Sequence, residues 1–573
     1  MRNAVFLGVV IAGVSLLAGP RPEASSRWNR RGGPVDWSHR HMVAARGGPD
    51  GGQRISHDWR THRKHARLER ARSRRDLMFE WFKQHWPEKL ARKKETSSSK
   101  LDWSLNTGGY GNVLGTPAKY SFDITAYNCS DVIYFTVDQA GSASAVNVVG
   151  ITNPYGGCPG NAGGTTPTVK FGIAMMSPVP TSAVLSLDGR ILYVIESAAS
   201  GMVLHAILVD NITSNPGTYD FGTSTWTSTH TLAAPDGTPT SEQLFQLTYS
   251  GVTNTTSSPF LDYWTDQLYF GTSQGRIHRV LDAASSAAAK DPDFPVTCGI
   301  NAHQSPVFYD GQVISAGADG YLYRINTLLA PPYTCVRSIQ GGAGTIEGAA
   351  GGFASPVLDV TNELIVVVSG HAAAAALRGI GTFNFRFAAG ENYVAGQSLG
   401  VVDLDANAPQ TPAFDDNFWL YNNGSVYAVG APDSGTGTYL RRQPYNAGVL
   451  GATAGYGQLR RGTSGSAQAP ASPVTEFMTA SGDFLYVGAA SYTRYRFMYR
   501  IAAGFGGTSG SPVAVDSRYP SGTTPGPGVL SGIIIDTNLS DNTGGTAKAN
   551  VYFGTVGVAS TTQSTIVQLA QAF

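Results

Sequence analysis

The segment Gly271-Thr272-Ser273-Gln274-Gly275 matches the G-x-S-x-G spacing of serine hydrolases. In those enzymes the serine lies on a sharp turn between a strand and a helix, which exposes its hydroxyl as a nucleophile. Here β-rich residues stand on both sides of the motif, from Gln267 to Phe270 and from Arg276 to Val280. The sequence therefore predicts a hairpin turn between two strands rather than a nucleophile.

Four aspartates recur close to short predicted turns, namely Asp188, Asp262, Asp310 and Asp359. Carboxylates gathered around one rim of a protein could act as acid and base in the cleavage of a polymer. Aspartate is also a common turn residue, because its side chain accepts hydrogen bonds from the local backbone. We interpret these residues as turn caps and keep polymer cleavage as the alternative.

No residue pattern indicates a metal or a cofactor. Five histidines follow residue 100, without H-x-H or H-E-x-x-H spacing: His205, His230, His278, His303 and His371. His205 and His278 lie inside predicted strands, where we expect packing histidines rather than ligands. The oxygen-rich segment 536–544 lacks the glycine and the closing glutamate of a calcium loop, so we predict a hairpin connection there. The absence of C-x-x-C-H excludes covalent haem.

The elements that must position these residues repeat along the chain. Ser-Pro pairs at residues 258, 305, 355 and 472 each precede a turn and a β-rich run. Self-similarity at about 40 to 50 residues is typical of a β-propeller, because one such sheet cannot bury both of its faces alone. The 69 glycines supply the tight turns that an all-β chain needs.

Paired strand signals predict a seven-bladed β-propeller over residues 101–573, with six or eight blades as alternatives. The fifth blade is enlarged by the stretches 371–399 and 405–470, which we interpret as insertions suited to a binding surface. The last blade shows only three strands. We therefore expect residues 101–105 to pair with it and to close the ring, because closure removes open sheet edges.

A sequence motif recurs in the predicted third strands. It is clearest in Asp319-Gly320-Tyr321-Leu322-Tyr323-Arg324-Ile325-Asn326, and a similar motif is Gly275-Arg276-Ile277-His278-Arg279-Val280. It resembles the PQQ-like repeat of quinoprotein-like β-propellers, a superfamily that contains dehydrogenases and many non-catalytic scaffolds. The Trp-bearing docking motif and the adjacent cysteine pair of the quinone-binding members are absent. The basic leader, the Asp102-Trp103 start, the strand Tyr120-Ser121-Phe122-Asp123 and a loop bounded by cysteines together also resemble exported bacterial propeller proteins of unassigned activity. We expect no cofactor.

The first residues have the pattern of a signal peptide. Arg2 gives a positive start, an apolar run extends from Ala4 to Ala18, and small or helix-breaking residues follow up to Ala24. The run is short for a membrane span. We expect residues 1–24 to be removed and the protein to be secreted, either extracellular or periplasmic.

Export makes disulfides the natural state of the four cysteines, Cys129, Cys158, Cys298 and Cys335. Four cysteines allow three connectivities. We favour Cys129 with Cys158 and Cys298 with Cys335, because these bonds stay within one blade or join neighbouring blades. A metal site is the competing interpretation, but no C-x-x-C or nearby histidine supports it.

Residues 25–100 form a basic arm. Residues 27–100 hold 20 Lys and Arg against 8 Asp and Glu, whereas residues 101–573 hold 19 against 31. The composition favours disorder for residues 25–54 and a helix within 55–95. With its aromatic residues, the segment 27–95 could contact an anionic membrane or polysaccharide. The alternative is a leader that docks on the acidic propeller or is removed during maturation.

These observations predict an exported, non-enzymatic scaffold that binds a protein or glycan partner at the cell exterior. The alternative is a propeller-class enzyme, either a polysaccharide hydrolase or lyase, or a divergent quinoprotein. We expect a monomer and no nucleic-acid partner, since the basic charge is confined to the arm.

Overall fold

A computed structural model gives the chain the fold of an all-β propeller, and the described residues form eight blades. The structure describes residues 42–44 and 100–572, apart from 122–128, 156–166, 187, 199–200, 233–238, 253–254, 264, 300–301, 304, 339–353, 360–361, 370–378, 391–409, 416, 419–421, 431–436, 452–454, 462–471, 480–481, 491–495, 504–516, 521–530, 539–547 and 556–562. Within these ranges no helix is long and apolar enough to cross a membrane.

The first four blades are antiparallel sheets built from consecutive strands. Blade 1 contains β3 (Ala118–Ser121), β4 (Val132–Thr136), β5 (Val148–Thr152) and β6 (Thr168–Ile173). Blade 2 contains β7 (Val184–Leu185), β8 (Ile191–Ala198), β9 (Gly201–Leu208) and β12 (Gln243–Ser250). The connection from β9 to β12 forms a separate hairpin of β10 (Thr218–Asp220) and β11 (Thr225–Ser228), which packs against blade 1. Blade 3 contains β13 (Phe260–Asp262), β14 (Gln267–Gly271), β15 (Arg276–Leu281), β16 (Ala289–Lys290) and β17 (Val296–Thr297). Blade 4 contains β18 (Val307–Tyr309), β19 (Gln312–Ala316), β20 (Leu322–Asn326) and β21 (Cys335–Arg337).

The remaining blades continue the pattern. Blade 5 contains β22 (Val357–Asp359), β23 (Leu364–Ser369) and β24 (Gly379–Asn384). Blade 6 contains β25 (Ala413–Phe414), β26 (Asn423–Gly430), β27 (Gly437–Asn446), β28 (Val449–Leu450) and β29 (Gly455–Arg461). Blade 7 contains β30 (Thr475–Thr479), β31 (Gly482–Ala490), β32 (Arg496–Ala502) and β33 (Ser517–Pro520). Blade 8 contains β34 (Ile534–Asn538), β35 (Lys548–Gly554), β36 (Thr565–Ala572) and β2 (Lys100–Asn106).

Apolar clusters fill the junctions between neighbouring blades. Blades 1 and 2 share one cluster, blades 2 and 3 another, and a larger one extends from blade 3 to blade 5. Further clusters join blades 5 and 6, 6 and 7, and 7 and 8. The last cluster packs Trp103 and Tyr552 of blade 8 against Ile133 and Phe135 of blade 1. The ring is therefore closed by side-chain packing.

Strand β2, which comes first in the propeller along the chain, completes blade 8. Strand β2 pairs antiparallel with β36, from Lys100 opposite Ala570 to Asn106 opposite Thr565. Trp103 is buried in the junction with blade 1, and its Nε1 donates to the Pro154 carbonyl at 3.1 Å. Backbone pairing and packing thus close the ring together.

The prediction of seven blades is wrong, because residues 413–461 form a blade of their own rather than an insertion in blade 5. The sequence signal is Thr411-Pro412-Ala413-Phe414-Asp415, which repeats the Ser-Pro pattern with threonine in place of serine. Threonine supplies the same hydroxyl, so the substitution keeps the function of the motif.

In blades 1 to 4 that function is to connect the first strands of neighbouring blades. The Thr116 N–H donates to Ser182 Oγ at 2.8 Å, Ser182 N–H to Ser258 Oγ at 2.9 Å, and Ser258 N–H to Ser305 Oγ at 2.8 Å. Buried hydroxyl residues occupy the matching position in all eight blades: Thr116, Ser182, Ser258, Ser305, Ser355, Thr411, Ser472 and Ser531. These hydrogen bonds form a hydroxyl belt across blades 1 to 4. In blades 7 and 8 the matching Ser472 and Ser531 Oγ accept instead from the Gly488 and Gly554 N–H of their own blades.

Replacing Ser258 by alanine should lower the free energy of unfolding by about 1 to 3 kcal/mol, because the buried Ser182 N–H loses its acceptor. Urea unfolding of the variant measures the loss. The exposed Ser250, replaced in the same way, is the control and should change stability by less than about 0.5 kcal/mol. Equal stabilities of the two variants would contradict this role of the hydroxyl belt.

Strand β1 (Met42–Ala44) pairs in parallel with β3, with Met42 opposite Lys119 and Ala44 opposite Ser121. These three residues lie within the segment 25–54, for which the composition favours disorder, and they form a short strand there. A three-residue strand has almost no sequence signature, because its stabilisation comes from main-chain pairing. The predicted signal peptide and the helix predicted within 55–95 lie outside the described residues.

The first strand of each blade is the one nearest the propeller axis. First strands of neighbouring blades approach one another, as β3 does with β7 and β13 with β18. In blade 1, β3 lies between β1 and β4. Strand β1 is therefore paired on the edge of β3 that faces the axis.

Candidate functional site: the upper face at blades 8, 1 and 2

We define the upper face by the connections that enter each first strand and those that join second and third strands. Three described connections of this face lie together at the junctions between blades 8 and 1 and between blades 1 and 2. They are residues 107–117, 137–147 and 174–183. Loops on a rigid propeller are common binding sites. These three connections therefore form the candidate binding surface.

The buried Asn147 holds the second and third of these connections together. Its Nδ2 group contacts three carbonyl oxygens, those of Gln139 at 3.0 Å, Met175 at 3.1 Å and Ser177 at 2.8 Å. Its Oδ1 accepts from the Met175 N–H at 2.8 Å. Because the amide is fully buried and its bonds are satisfied by backbone, these loops are fixed in position.

Gln139 ties the first connection to the second. Its Oε1 accepts from the Gly111 N–H at 2.9 Å, while its Nε2 donates to the Val146 carbonyl at 2.7 Å. A Cβ at Gly109 would lie 2.1 Å from Gln139 Oε1, and one at Gly111 would lie 2.3 Å from Gln139 Cβ. Glycine is therefore required at Gly111, where a Cβ would also lie 2.6 Å from the Asp138 carbonyl oxygen, whereas at Gly109 it would displace the Gln139 amide.

Three large apolar side chains project from these fixed loops. Tyr110 is 51% exposed, Leu114 is 42% exposed and Met176 is 65% exposed. We call these three residues the seam surface. Exposed aromatic and methionine side chains on a rigid support are typical of protein-binding surfaces. No sequence motif identifies these three residues, although the Gly108-Gly109-Tyr110-Gly111 run marks the loop.

The G-x-S-x-G segment forms the hairpin turn that its flanking residues predict. It joins the antiparallel strands β14 and β15, and Gly275 has a φ of +73° that suits glycine. The Cys298 N–H donates to the Gly275 carbonyl at 2.7 Å.

The four aspartates lie on the opposite, lower face, at the connections between first and second strands. Asp188 Oδ1 accepts from Ser186 Oγ at 2.6 Å, and Asp262 Oδ2 accepts from Thr265 Oγ1 at 2.5 Å. Asp359 accepts from the Asn362 N–H at 3.1 Å, while Asp310 pairs with Arg386 across to the next blade. Three of the four therefore cap their turns as expected, whereas Asp310 forms an ion pair between blades.

The described histidines are packed within or between blades. His205 is fully buried: Gln243 Nε2 donates to its Nδ1 at 2.9 Å, so its Nε2 donates to Glu196 Oε2 at 2.9 Å. His230 Nε2 lies 3.1 Å from Glu242 Oε2. His303 Nε2 lies 2.6 Å from the Cys298 carbonyl, and burial lowers the pKa of its imidazole. Among the described residues no group of His, Cys, Asp or Glu has the arrangement of a metal site. His371 lies outside the described residues.

His278 is packed between aromatic rings. Its ring is stacked on Phe270 at 5.1 Å and meets the edge of Tyr249 at 4.9 Å, centroid to centroid. Burial, reinforced by Arg276 and Lys290, lowers the pKa of His278 to about 4.

The low pKa of His278 should make the protein less stable in mild acid. The unfolded chain binds a proton near pH 6.5 and the folded chain only near 4, so stability falls as the pH drops between these values. His278 alone should contribute a loss of about 2 kcal/mol between pH 7 and pH 5. Urea unfolding at both values should show a shallower pH dependence for His278→Phe than for the wild type. Identical pH dependence would contradict this assignment.

One disulfide is present in the described part of the chain, between Cys298 and Cys335, 37 residues apart. Cys298 follows β17 at the outer edge of blade 3, and Cys335 begins β21 in blade 4. The bond therefore joins neighbouring blades, and it is compatible with an oxidising environment. Cys158 lies outside the described residues, so its pairing with Cys129 stays a prediction. The predicted hairpin connection within 536–544 falls mostly outside them as well.

No family model matches this chain, and no curated protein is significantly similar to it in sequence. Similar solved structures include Saccharomyces cerevisiae Sqt1, 11% identical with a TM-score of 0.48, where the match covers 83% of this chain and 99% of that one. The computationally designed Ika8 protein is 9% identical with a TM-score of 0.42, and the match covers 81% and 98% of the two chains. A chain of a mitotic checkpoint complex is 11% identical with a TM-score of 0.35 over 69% and 92%. At these values the likeness carries no argument about function, whereas the propeller fold itself is consistent with a scaffold or binding role.

Proposed function

We propose that this protein is an exported, non-enzymatic scaffold that binds a protein partner through the seam surface. The observation that carries the proposal is the exposure of Tyr110, Leu114 and Met176 on loops that Asn147 and Gln139 fix in place. Binding to a preformed apolar surface loses little conformational entropy, so affinity is gained from desolvation of these side chains.

The test compares two surfaces of one fold. In the seam variant, Tyr110, Leu114 and Met176 are all replaced by serine; in the control, Leu328 and Leu329 are replaced by serine. Both control residues are exposed, at 69% and 61%, and lie on the lower face after β20. Immobilised wild type, seam variant and control are incubated with proteins from the producing organism, and captured proteins are quantified by mass spectrometry.

A partner captured by wild type and control should be depleted at least about tenfold on the seam variant, since a loss of 1.4 kcal/mol is sufficient for that change. Equal capture by all three proteins would overturn the proposal. A glycan array with the same three proteins separates a glycan partner, which would bind by sugar stacking on Tyr110, from a protein partner.

Export rests on the signal-like residues 1–24 and is supported by the Cys298–Cys335 bond. The proposed relation to quinoprotein-like propellers rests on the motif at Asp319–Asn326 and the similar motif at Gly275–Val280 in blade 3. The competing function is that of a propeller-class enzyme acting through rim carboxylates or a quinone. Turnover of an extracellular polymer that Asp188→Asn abolishes, or a saturable absorbance change on titration with PQQ, would establish that function instead.

The arm is proposed as a contact to an anionic surface, because residues 27–100 hold 20 basic against 8 acidic residues. Deleting residues 27–95 should leave the propeller folded, since β2 remains to close the ring. The deletion should abolish adsorption to anionic vesicles in a sedimentation assay. Adsorption of the intact protein should weaken towards roughly 0.5 M salt, where the Debye length is only a few Å. Adsorption that survives both changes would place the anionic contact on the propeller.

A further inference from the structure

The axial edge of β3 already holds an extended segment of the chain. Strand β1 pairs with it in parallel over three residues, with Val43 opposite Tyr120. Among the described strands no other first strand has a partner on its axial edge. The edge in blade 1 therefore has the geometry of strand addition, in which a peptide joins an open sheet edge.

The side chains of β3 pack within the propeller, so its main-chain groups make the contacts at the axial edge. Lys119 is fully buried, and its Nζ lies 3.0 Å from Asp131 Oδ2. Tyr120 packs on blade 2, where a Cβ at Gly189 would lie 2.1 Å from its ring. Because main-chain hydrogen bonds dominate such a contact, it accepts many sequences in an extended conformation.

Strand β1 is short enough to be displaced from β3 by another extended peptide. Three register pairs hold it, whereas β8 and β9 pair over eight. Each hydrogen bond contributes only about 1 kcal/mol net, so a longer extended peptide can compete for the edge.

The chain connectivity fits this placement. First strands run from the upper to the lower face, and β1 is parallel to β3, so Ala44 leads to the lower face. The fourth-strand position of β2 runs the opposite way, so Lys100 starts at that same face. The 55 residues between them can connect the axis to the outer edge of blade 8 without crossing the ring.

We propose that the axial edge of β3 is a strand-accepting site for an extended polypeptide segment, and that Met42–Ala44 occupies it in cis as a replaceable occupant. A partner's segment binds parallel to β3 after β1 leaves. The site is separate from the seam surface, so failure of the proposed function leaves it unaffected.

The test uses the full chain and a fluorescent synthetic peptide with the sequence of residues 37–49 as the probe. Val43→Pro removes a donor from the centre of β1 and disfavours the strand. Val35→Pro is the matched control, since the same exchange lies outside β1. A cysteine pair, Ala44→Cys with Ser121→Cys, locks β1 in place when it is oxidised.

Fluorescence anisotropy should show the probe binding Val43→Pro at least about tenfold more tightly than the wild type or Val35→Pro, because an occupant present in nine of ten molecules lowers the apparent affinity by that factor. The oxidised cysteine variant should cross-link and bind the probe at least about tenfold more weakly than the wild type, with recovery on reduction. Equal probe affinity in all proteins, or a cysteine pair that does not cross-link, would overturn the proposal.

Discussion

Replacing Lys119 by methionine should lower the free energy of unfolding by about 3 to 5 kcal/mol, because it leaves a buried carboxylate without its neutralising ammonium. Lys119 is 0% exposed on β3, and its Nζ lies 3.0 Å from Asp131 Oδ2. Tyr155 OH donates to the same Oδ2 at 2.5 Å, and the Lys119 ammonium lies 5.6 Å from the Tyr155 ring centroid. Methionine keeps the length of the side chain, so the loss reports the charge rather than a cavity. Urea unfolding measures the change.

The control is Lys170→Met, which removes the ammonium of a surface ion pair. Lys170 Nζ lies 2.7 Å from Asp210 Oδ1, but the two side chains are 24% and 62% exposed. Solvent screening should limit that loss to less than about 1 kcal/mol. The double variant Lys119→Met with Asp131→Asn should recover part of the stability, since the uncompensated charge is gone. Equal losses for Lys119→Met and Lys170→Met would refute the buried-pair assignment.

Removing the disulfide by replacing Cys298 and Cys335 with alanine should lower the free energy of unfolding by about 3 to 4 kcal/mol, as expected for a loop of this size. The 37-residue loop joins the outer edges of blades 3 and 4, so its loss frees the unfolded chain and loosens an interblade contact. The measurement is urea unfolding of the variant and of the wild type, each with and without reductant.

Reductant should destabilise the wild type by at least as much as the substitution does. Peptide mapping without reduction should recover Cys298 joined to Cys335, together with the predicted Cys129–Cys158 peptide. A variant as stable as the oxidised wild type would show that the bond does not stabilise the fold. Cysteines joined in any other pairing would contradict the assigned connectivity.

The blade count shows how a local pattern can be read too strictly. The Ser-Pro repeat identifies four blade starts directly, because each of these serines is buried at the start of a first strand. Thr411 meets the same chemical requirement with an added methyl group. A search for a hydroxyl followed by proline, rather than for serine, would have separated blade 6 from blade 5.

The sequence by itself determined those features that depend on neighbouring residues. Alternating apolar residues, turn aspartates and the hydroxyl repeat indicate an all-β propeller, since each blade is a local unit with short connections. The role of residues 101–105 could also be anticipated, because a three-stranded last blade leaves an edge to be covered. The pairing of Cys298 with Cys335 is the one favoured among three connectivities, because it is local along the chain.

Only the tertiary structure decided which distant residues meet. Tyr110 and Met176 are 66 residues apart in the sequence, and their loops are brought together by a third connection, in which Gln139 binds the loop of Tyr110 and Asn147 that of Met176. The pairing of Met42–Ala44 with β3 depends on main-chain hydrogen bonds, which any residue except proline can form on both sides. Side-chain types and spacing carry no record of such contacts, because closing the ring, and not local preference, places these segments side by side.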